Sequence, residues 1–233
     1  MTEKTGILYM VATPIGNLGD ITLRALETLK AVDTILSEDT RVTGNLLRHF
    51  EIKKPLISFH EHTDSDKAQK LIDRIVAGEN MALVTDAGTP GISDPGNVLV
   101  ELAVLAGVSV IPLPGANALG AIVSVAGIDM REFIFLGFPP HKKGRETFFK
   151  KVVASEYPVI YYESPHRVIK NLELLAELAP HRKLVLGREL TKIFEEVVRG
   201  SVGEVKTYLE NKAGKTKGEF VIIVYNKEER KEV

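Results

Sequence analysis

From residue 7 to residue 112 the chain alternates, almost without gaps, between short β-rich apolar runs and longer stretches with apolar residues at helical spacing. Strands are expected at 7–12, 34–37, 56–59, 81–85 and 108–112. Helices are expected at 22–31, with Leu23, Leu26 and Leu29 on one face, at 40–50, at 65–77, with Leu71, Ile72, Ile75 and Val76, and at 95–106. Such a repeat leaves few folds open, because strands joined through helices run parallel and the crossovers cover both faces of the sheet. After Pro114-Gly115 the rhythm changes. A helix at 117–126 is followed by strands at 133–137, 159–163, 184–187, 196–199 and 219–225 and by helices at 145–153, 167–178 and 202–210. Ser201 and Glu204 open the last helix at capping-box spacing. No helix fits between 184–187 and 196–199, so this half contains antiparallel pairing. The fold class is therefore α/β, with an N-terminal domain (1–115) built on a mostly parallel sheet, a C-terminal domain (116–233) on a mixed sheet, and an interdomain cleft expected.

Composition excludes several classes. The 233 residues carry 30 Lys and Arg against 31 Asp and Glu, so any nucleic-acid contact must rest on a local patch. Absence of cysteine removes disulfides, thiolate metal sites and a cysteine nucleophile, and fits a cytoplasmic setting. The start, MTEKTG, is polar, the apolar run ILYMVA after it is too short for a signal segment, and no stretch approaches the ~20 apolar residues of a membrane span. The end, NKEERKEV, reads as a solvated tail.

The loop TDAGTPGISDPG, residues 85–96, leaves a strand and enters a helix, with Asp94 placed as N-cap and Pro95 at the first helical position. Its small residues admit either a tight turn or a ligand lying against main chain, and open α/β sheets bind ligands at this edge. Other motifs fail. TPIGNLGD lacks the GxGxxG pattern of a dinucleotide loop, and Gly214-Lys215-Thr216 has Leu209 where a phosphate loop requires glycine. His60 and His62 have no evident third partner for a metal. Charged clusters recur after strands: Glu38, Asp39 and Arg41; Tyr162, Glu163, His166 and Arg167; Arg188, Glu189 and Lys192. Each admits a helix cap with a surface ion pair; together they suggest one site.

ATPIGNLGD, SEDTR, FHEHT, TDAGTPGISDPG, PGANA, GFPP, YESPHR and RELTK, in that order over residues 12–192, resemble the ribosomal RNA small-subunit (cytidine-2′-O)-methyltransferases of the tetrapyrrole methylase superfamily, the class III methyltransferases. The resemblance implies a two-domain α/β homodimer that binds S-adenosylmethionine without metal. It also implies methylation of a cytidine ribose in 16S ribosomal RNA, presented by the assembled small subunit. A small-molecule methyltransferase acting on a tetrapyrrole and a non-catalytic ribosome-binding module are the alternatives. Carried onto this chain, the donor falls to Ile15, Gly16, Asp86, Ala87, Gly88, Thr89, Asn117, Ala118, Tyr162 and Leu190. Many members have serine where PGANA has Asn117. Ribose methylation needs in-line attack and a destination for the hydroxyl proton. Candidate bases are Glu38, Asp39, Glu163 and Glu189; Arg41, Arg188 and Lys192 are candidates for orienting phosphate. A structural ion-pair network is the other reading of these groups. For RNA, HKKGRETFFKK (141–151) holds five Lys and Arg against one Glu, with Phe148 and Phe149 expected in the core, and Lys212, Lys215 and Lys217 offer a second basic bank.

Overall fold

The computed structural model describes residues 5–60, 63–93, 96–211, 214 and 216–226. It divides into two compact units, Met1–Asn117 and Ala118–Val233. Among the described residues no helix is long and apolar enough to cross a membrane.

In the first unit β1 (Ile7–Val11), β2 (Thr34–Ser37), β3 (Leu56–Ser58), β4 (Met81–Val84) and β5 (Ser109–Leu113) form one parallel sheet in the order β3-β2-β4-β1-β5. Helices α1 (Leu23–Ala31), α2 (Thr40–His49), α3 (Ser65–Val76) and α4 (Asn97–Leu105) alternate with the strands. Thr22, Asp39 and Asp64 cap the first three by accepting hydrogen bonds from the amides of Ala25, Arg41 and Asp66. The buried face of α1 is Ala25 and Leu29, with Leu26 in part, whereas Leu23 in the first turn points to solvent. Sequence pattern places the cap of α4 at Asp94; instead Gly96 stands at the N-cap without a side-chain bond, and Asp94 and Pro95 lie outside the described residues. Alternation decides the layers. Val11, Ile35, Ala82, Val84 and Leu113 face α1 and α2, while Leu8, Leu36, Met81 and Leu83 face α3 and α4. The neighbours β1 and β4 thus send their following helices to opposite faces, which is the switch point at which doubly wound sheets open a crevice beyond the strand carboxyl ends.

The second unit opens with the short helix α5 (Ala118–Ser124) and holds β6 (Ile134–Phe135), β7 (Val159–Glu163), β8 (Lys183–Arg188), β9 (Glu196–Ser201) and β10 (Phe220–Tyr225), in the order β6-β7-β10-β8-β9. Only β6 and β7 pair in parallel; β10 is antiparallel to β7 and β8, and β8 to β9, as the missing helix between those two segments required. Helices α6 (Arg145–Ala154), α7 (Val168–Leu178) and α8 (Val202–Asn211) bury one face of the sheet around Tyr161, Leu186, Phe220 and Ile222, with Phe149 in that core and Phe148 packed against it. The capping box forms: the Glu204 amide donates to Ser201 Oγ at 3.3 Å and the Ser201 amide to Glu204 Oε2 at 2.6 Å. On the opposite face α5 lies so close that a Cβ on Gly187 would stand 2.8 Å from Ile122 Cδ1.

Candidate functional site

Loops leaving β1 and β4 are joined by main chain, and the loop leaving β5 joins them through the Thr89 side chain. The Thr13 amide donates to the Gly88 carbonyl at 2.9 Å and the Gly88 amide returns a bond to the Thr13 carbonyl at 3.1 Å, a two-bond bridge across the switch point. Thr13 Oγ1 donates to the Thr85 carbonyl at 3.1 Å, and Thr89 Oγ1 to the Ala116 carbonyl at 3.4 Å. Gly88 has φ 91°, and a Cβ there would meet Ile15 Cγ2 at 3.5 Å and the Ala116 carbonyl oxygen at 3.8 Å. Behind it a Cβ on Gly115 would clash with Ala12 Cβ at 2.8 Å, so the β5 loop can lie this near β1 only with glycine there. Of the residues assigned to a methyl donor, Ile15, Gly16, Asp86, Ala87, Gly88 and Thr89 therefore meet in one place, with Asn117 one residue beyond Ala116. Ile15 and Gly88 are buried, Gly16, Asp86 and Ala87 are exposed, and Thr89 is half-buried.

The loop after β2 joins this group through Asp86, whose Oδ1 accepts the Asp39 amide at 3.0 Å. Glu38 is half-buried beside it. Asp39 itself is committed to Arg41: it caps the Arg41 amide and holds the guanidinium through two nitrogens, 2.5 Å at the closest. Those hydrogen bonds pull the Asp39 carboxyl down to about 2, so it is ionised at neutral pH and a feeble base.

In the second unit the strand-end charges are used differently. Glu163, Phe220, Arg188 and Glu196 stand opposite one another in register and share the face that α6, α7 and α8 cover. Glu163 is buried: its carboxylate accepts the Ser164 amide at 2.8 Å and the Asn171 side-chain amide, and Arg167 Nε lies at 3.3 Å. These bonds make Glu163 the anchor of the turn between β7 and α7. Arg188, also buried, donates to the carbonyls of Lys217 and Phe194, pairs with Glu196 at 3.4 Å and so shapes the turn after β8. Glu189 and Lys192 pair at 2.9 Å, and Lys192 also reaches Glu219 at 3.1 Å. Burial pushes the Glu189 carboxyl up, but the Glu219 amide and the Lys192 ammonium outweigh it and hold the group below its ordinary value.

Tyr162 and Leu190 occupy the opposite, α5-side face, together with Gly187, beside which Leu190 packs. Tyr162 meets Phe135 and Phe138 edge-on, with ring centroids 5.0 and 5.4 Å apart. Ala118 begins α5 itself. Sequence reasoning places Arg167 in a charged cluster without its tie to Pro139, and does not single out Thr13, Gly115 or Asn171 as residues that shape these sites; Thr13 and Gly115 lie within the quoted motifs ATPIGNLGD and PGANA, whereas Asn171 carries no signal. His62, Lys212 and Lys215 and the segment 227–233 lie outside the described residues, and among those described no group of His, Cys, Asp and Glu is placed to hold a metal ion.

Residues 7–206 match the model of the family described as Tetrapyrrole (Corrin/Porphyrin) Methylases. A relative from Haemophilus influenzae, named "Ribosomal RNA small subunit methyltransferase I", is 46% identical over 97% of this chain and 81% of its own length. Proteins of the same name from Neisseria meningitidis serogroup B and Escherichia coli O157:H7 are 44% and 46% identical, over 97% and 95% of this chain and 78% of each relative. Among solved structures the methyltransferase CobJ superposes with a TM-score of 0.68 at 18% identity, covering 96% of this chain and 95% of that one. The cobalt precorrin-4 methyltransferase CbiF gives 0.67 at 18%, covering 94% of each chain.

Proposed function

The chain belongs to the tetrapyrrole (corrin/porphyrin) methylase family, and on that footing we propose that it methylates the 2′-hydroxyl of a cytidine ribose in 16S ribosomal RNA of the small subunit, in the cytoplasm and as a homodimer. The observation that carries the reading is the near full-length similarity to curated small-subunit ribosomal RNA methyltransferases. The cobalamin-type enzymes are far more distant in sequence, which favours RNA over a tetrapyrrole substrate.

The residues at the switch point fit S-adenosylmethionine. The exposed Gly16 leaves main chain uncovered by a Cβ, so a flat ligand can lie against it, while Gly88 lets the β1 and β4 loops close beneath. The exposed Asp86 carboxylate has one oxygen on the Asp39 amide and presents charge to an ammonium or sulfonium with the rest. When bound, the donor supplies an activated methyl group. What the chain contributes is alignment of the ribose oxygen with that methyl and a place for the departing proton. Asp39 is too weak a base and Glu163 is enclosed, so Glu38, beside the donor loops, is the carboxylate to test first, and Glu189 the second.

Mass-spectrometric mapping of ribose methylation in small-subunit RNA tests the reaction. One cytidine should gain a methyl only when both protein and donor are present; no gain on assembled subunits sinks the proposal. Titration calorimetry with S-adenosylmethionine tests the donor half separately, and absence of binding would leave a non-catalytic module.

A further inference from the structure

Resting on the ribosomal RNA reading, we propose that Phe138 is a stacking platform for an unpaired base of the substrate RNA, with Lys142, Lys143 and Arg145 gripping the phosphates beside it. Phe138 is 51% exposed on a short loop that also contains a buried proline, Pro139. The loop is fixed from several sides. The Gly137 carbonyl accepts the Tyr162 amide at 3.0 Å, and the Phe138 ring rests edge-on against Tyr162. Arg167 Nη1 donates to the Pro139 carbonyl at 2.8 Å while its Nε binds Ser164 Oγ at 3.1 Å and faces the buried Glu163. Two consecutive prolines, Pro139 and Pro140, stiffen the exit. A ring so held offers one face to a partner without losing conformational freedom on binding.

The basic run directly after this loop selects the partner. His141, Lys142 and Lys143 are exposed, Arg145 is half-buried, and none of the last three is in an ion pair among the described residues. Single-stranded RNA is bound by this combination, with bases stacked on aromatic rings and phosphates on cations within a nucleotide or two. An apolar protein partner would leave the adjacent lysines unmatched. The pair Phe148 and Phe149 cannot serve, because both pack in the core under α6. The Phe138 assignment therefore supplies the aromatic element that the basic run otherwise lacks.

Binding of unmethylated small subunits should fall about 5- to 100-fold in Phe138→Ala, the range of base–aromatic stacking. Phe138→Leu keeps apolar bulk against Tyr162 without a π-face and should lose nearly as much, while Phe138→Trp should bind as well as wild type or better. Chemical probing of the bound RNA should show at least one base protected by wild type and Phe138→Trp but reactive with Phe138→Leu. Wild-type affinity in the Leu variant would reduce the ring to a filler. Lost affinity with unchanged base protection would mean a ribosomal protein is the partner. Either result overturns the assignment. Thermal denaturation serves as the folding control, because Phe138 touches Tyr162, one of the residues assigned to the donor. Should wild type itself leave small-subunit RNA unmethylated, the fault lies with the methyltransferase reading; should wild type and all variants methylate alike, only the Phe138 platform fails.

Discussion

At the carboxyl end of β2 the Asp39–Arg41 pair stands in solvent, with side chains 27% and 88% exposed, whereas at the carboxyl end of β7 the Glu163–Arg167 pair is at 0% and 14%. Both follow a strand and both look alike in sequence. The first sits where a parallel sheet splits its helices to two faces and leaves the strand ends open. The second sits in an antiparallel-rich sheet whose strand-end residues alternate between a helix-covered face and a face lined by α5. Parity, rather than residue type, then decides which side chains a ligand can meet: Tyr162 and Glu163 are neighbours in sequence but point to opposite layers.

The sharpest way to break this contrast is the isosteric amide at Glu38. If the first unit carries the base, Glu38→Gln should cut single-turnover methylation by about 10²- to 10⁴-fold with donor and RNA binding intact. Near-normal turnover would return attention to Glu189, or to catalysis by alignment alone. Glu163→Gln should do the reverse. It places an amide against the Asn171 amide and Arg167, and should lower stability by about 2–3 kcal/mol in denaturant titration without a specific loss of rate. A rate loss at full stability would put Glu163 back among the reacting groups.

Much of this is legible in the sequence and some cannot be. The caps Thr22, Asp39 and Asp64 and the strand cores of the first unit follow from local pattern, and so does the antiparallel pairing of β8 with β9. Pattern misplaces the start of α4 because a DPG tripeptide satisfies the N-cap rule at Asp94 while the helix begins after Gly96. Strand β6 is only Ile134–Phe135, shorter than its apolar run suggests, and pairs on one side only, at the sheet's edge. The enclosure of Arg188 is not legible, because sequence shows a charge near a turn but not the carbonyls of Lys217 and Phe194 around it.

Asp86→Ala is expected to weaken S-adenosylmethionine by about tenfold, the scale of one charged hydrogen-bond acceptor, and to loosen the β2 loop by freeing the Asp39 amide. Unchanged affinity in calorimetry would remove Asp86 from the donor site. The smallest effect concerns acid. Asp39 and Asp129 each hold the arginine two residues on, and both carboxyls sit at about 2 instead of 3.8. The unfolded chain takes up these protons first, so the stabilisation is complete above pH about 4 and is lost as pH falls from 3.8 toward 2. Asp129→Asn should flatten that acid limb while leaving donor affinity alone. Asp39→Asn should flatten it to a similar degree and also disturb the donor loops; identical behaviour of the two would erase the distinction between the units.

The bridge between Thr13 and Gly88 has a consequence for how such a chain can diverge. It is written in amides and carbonyls, so nearly every residue but proline could replace Thr13 and keep both ladder bonds, losing only the Oγ1 contact to Thr85. Gly88 and Gly115 have no such latitude, one by its left-handed backbone and the other by the methyl of Ala12. Descendants can thus rewrite the side chains lining the crevice position by position, while the main-chain joint beneath is inherited unchanged.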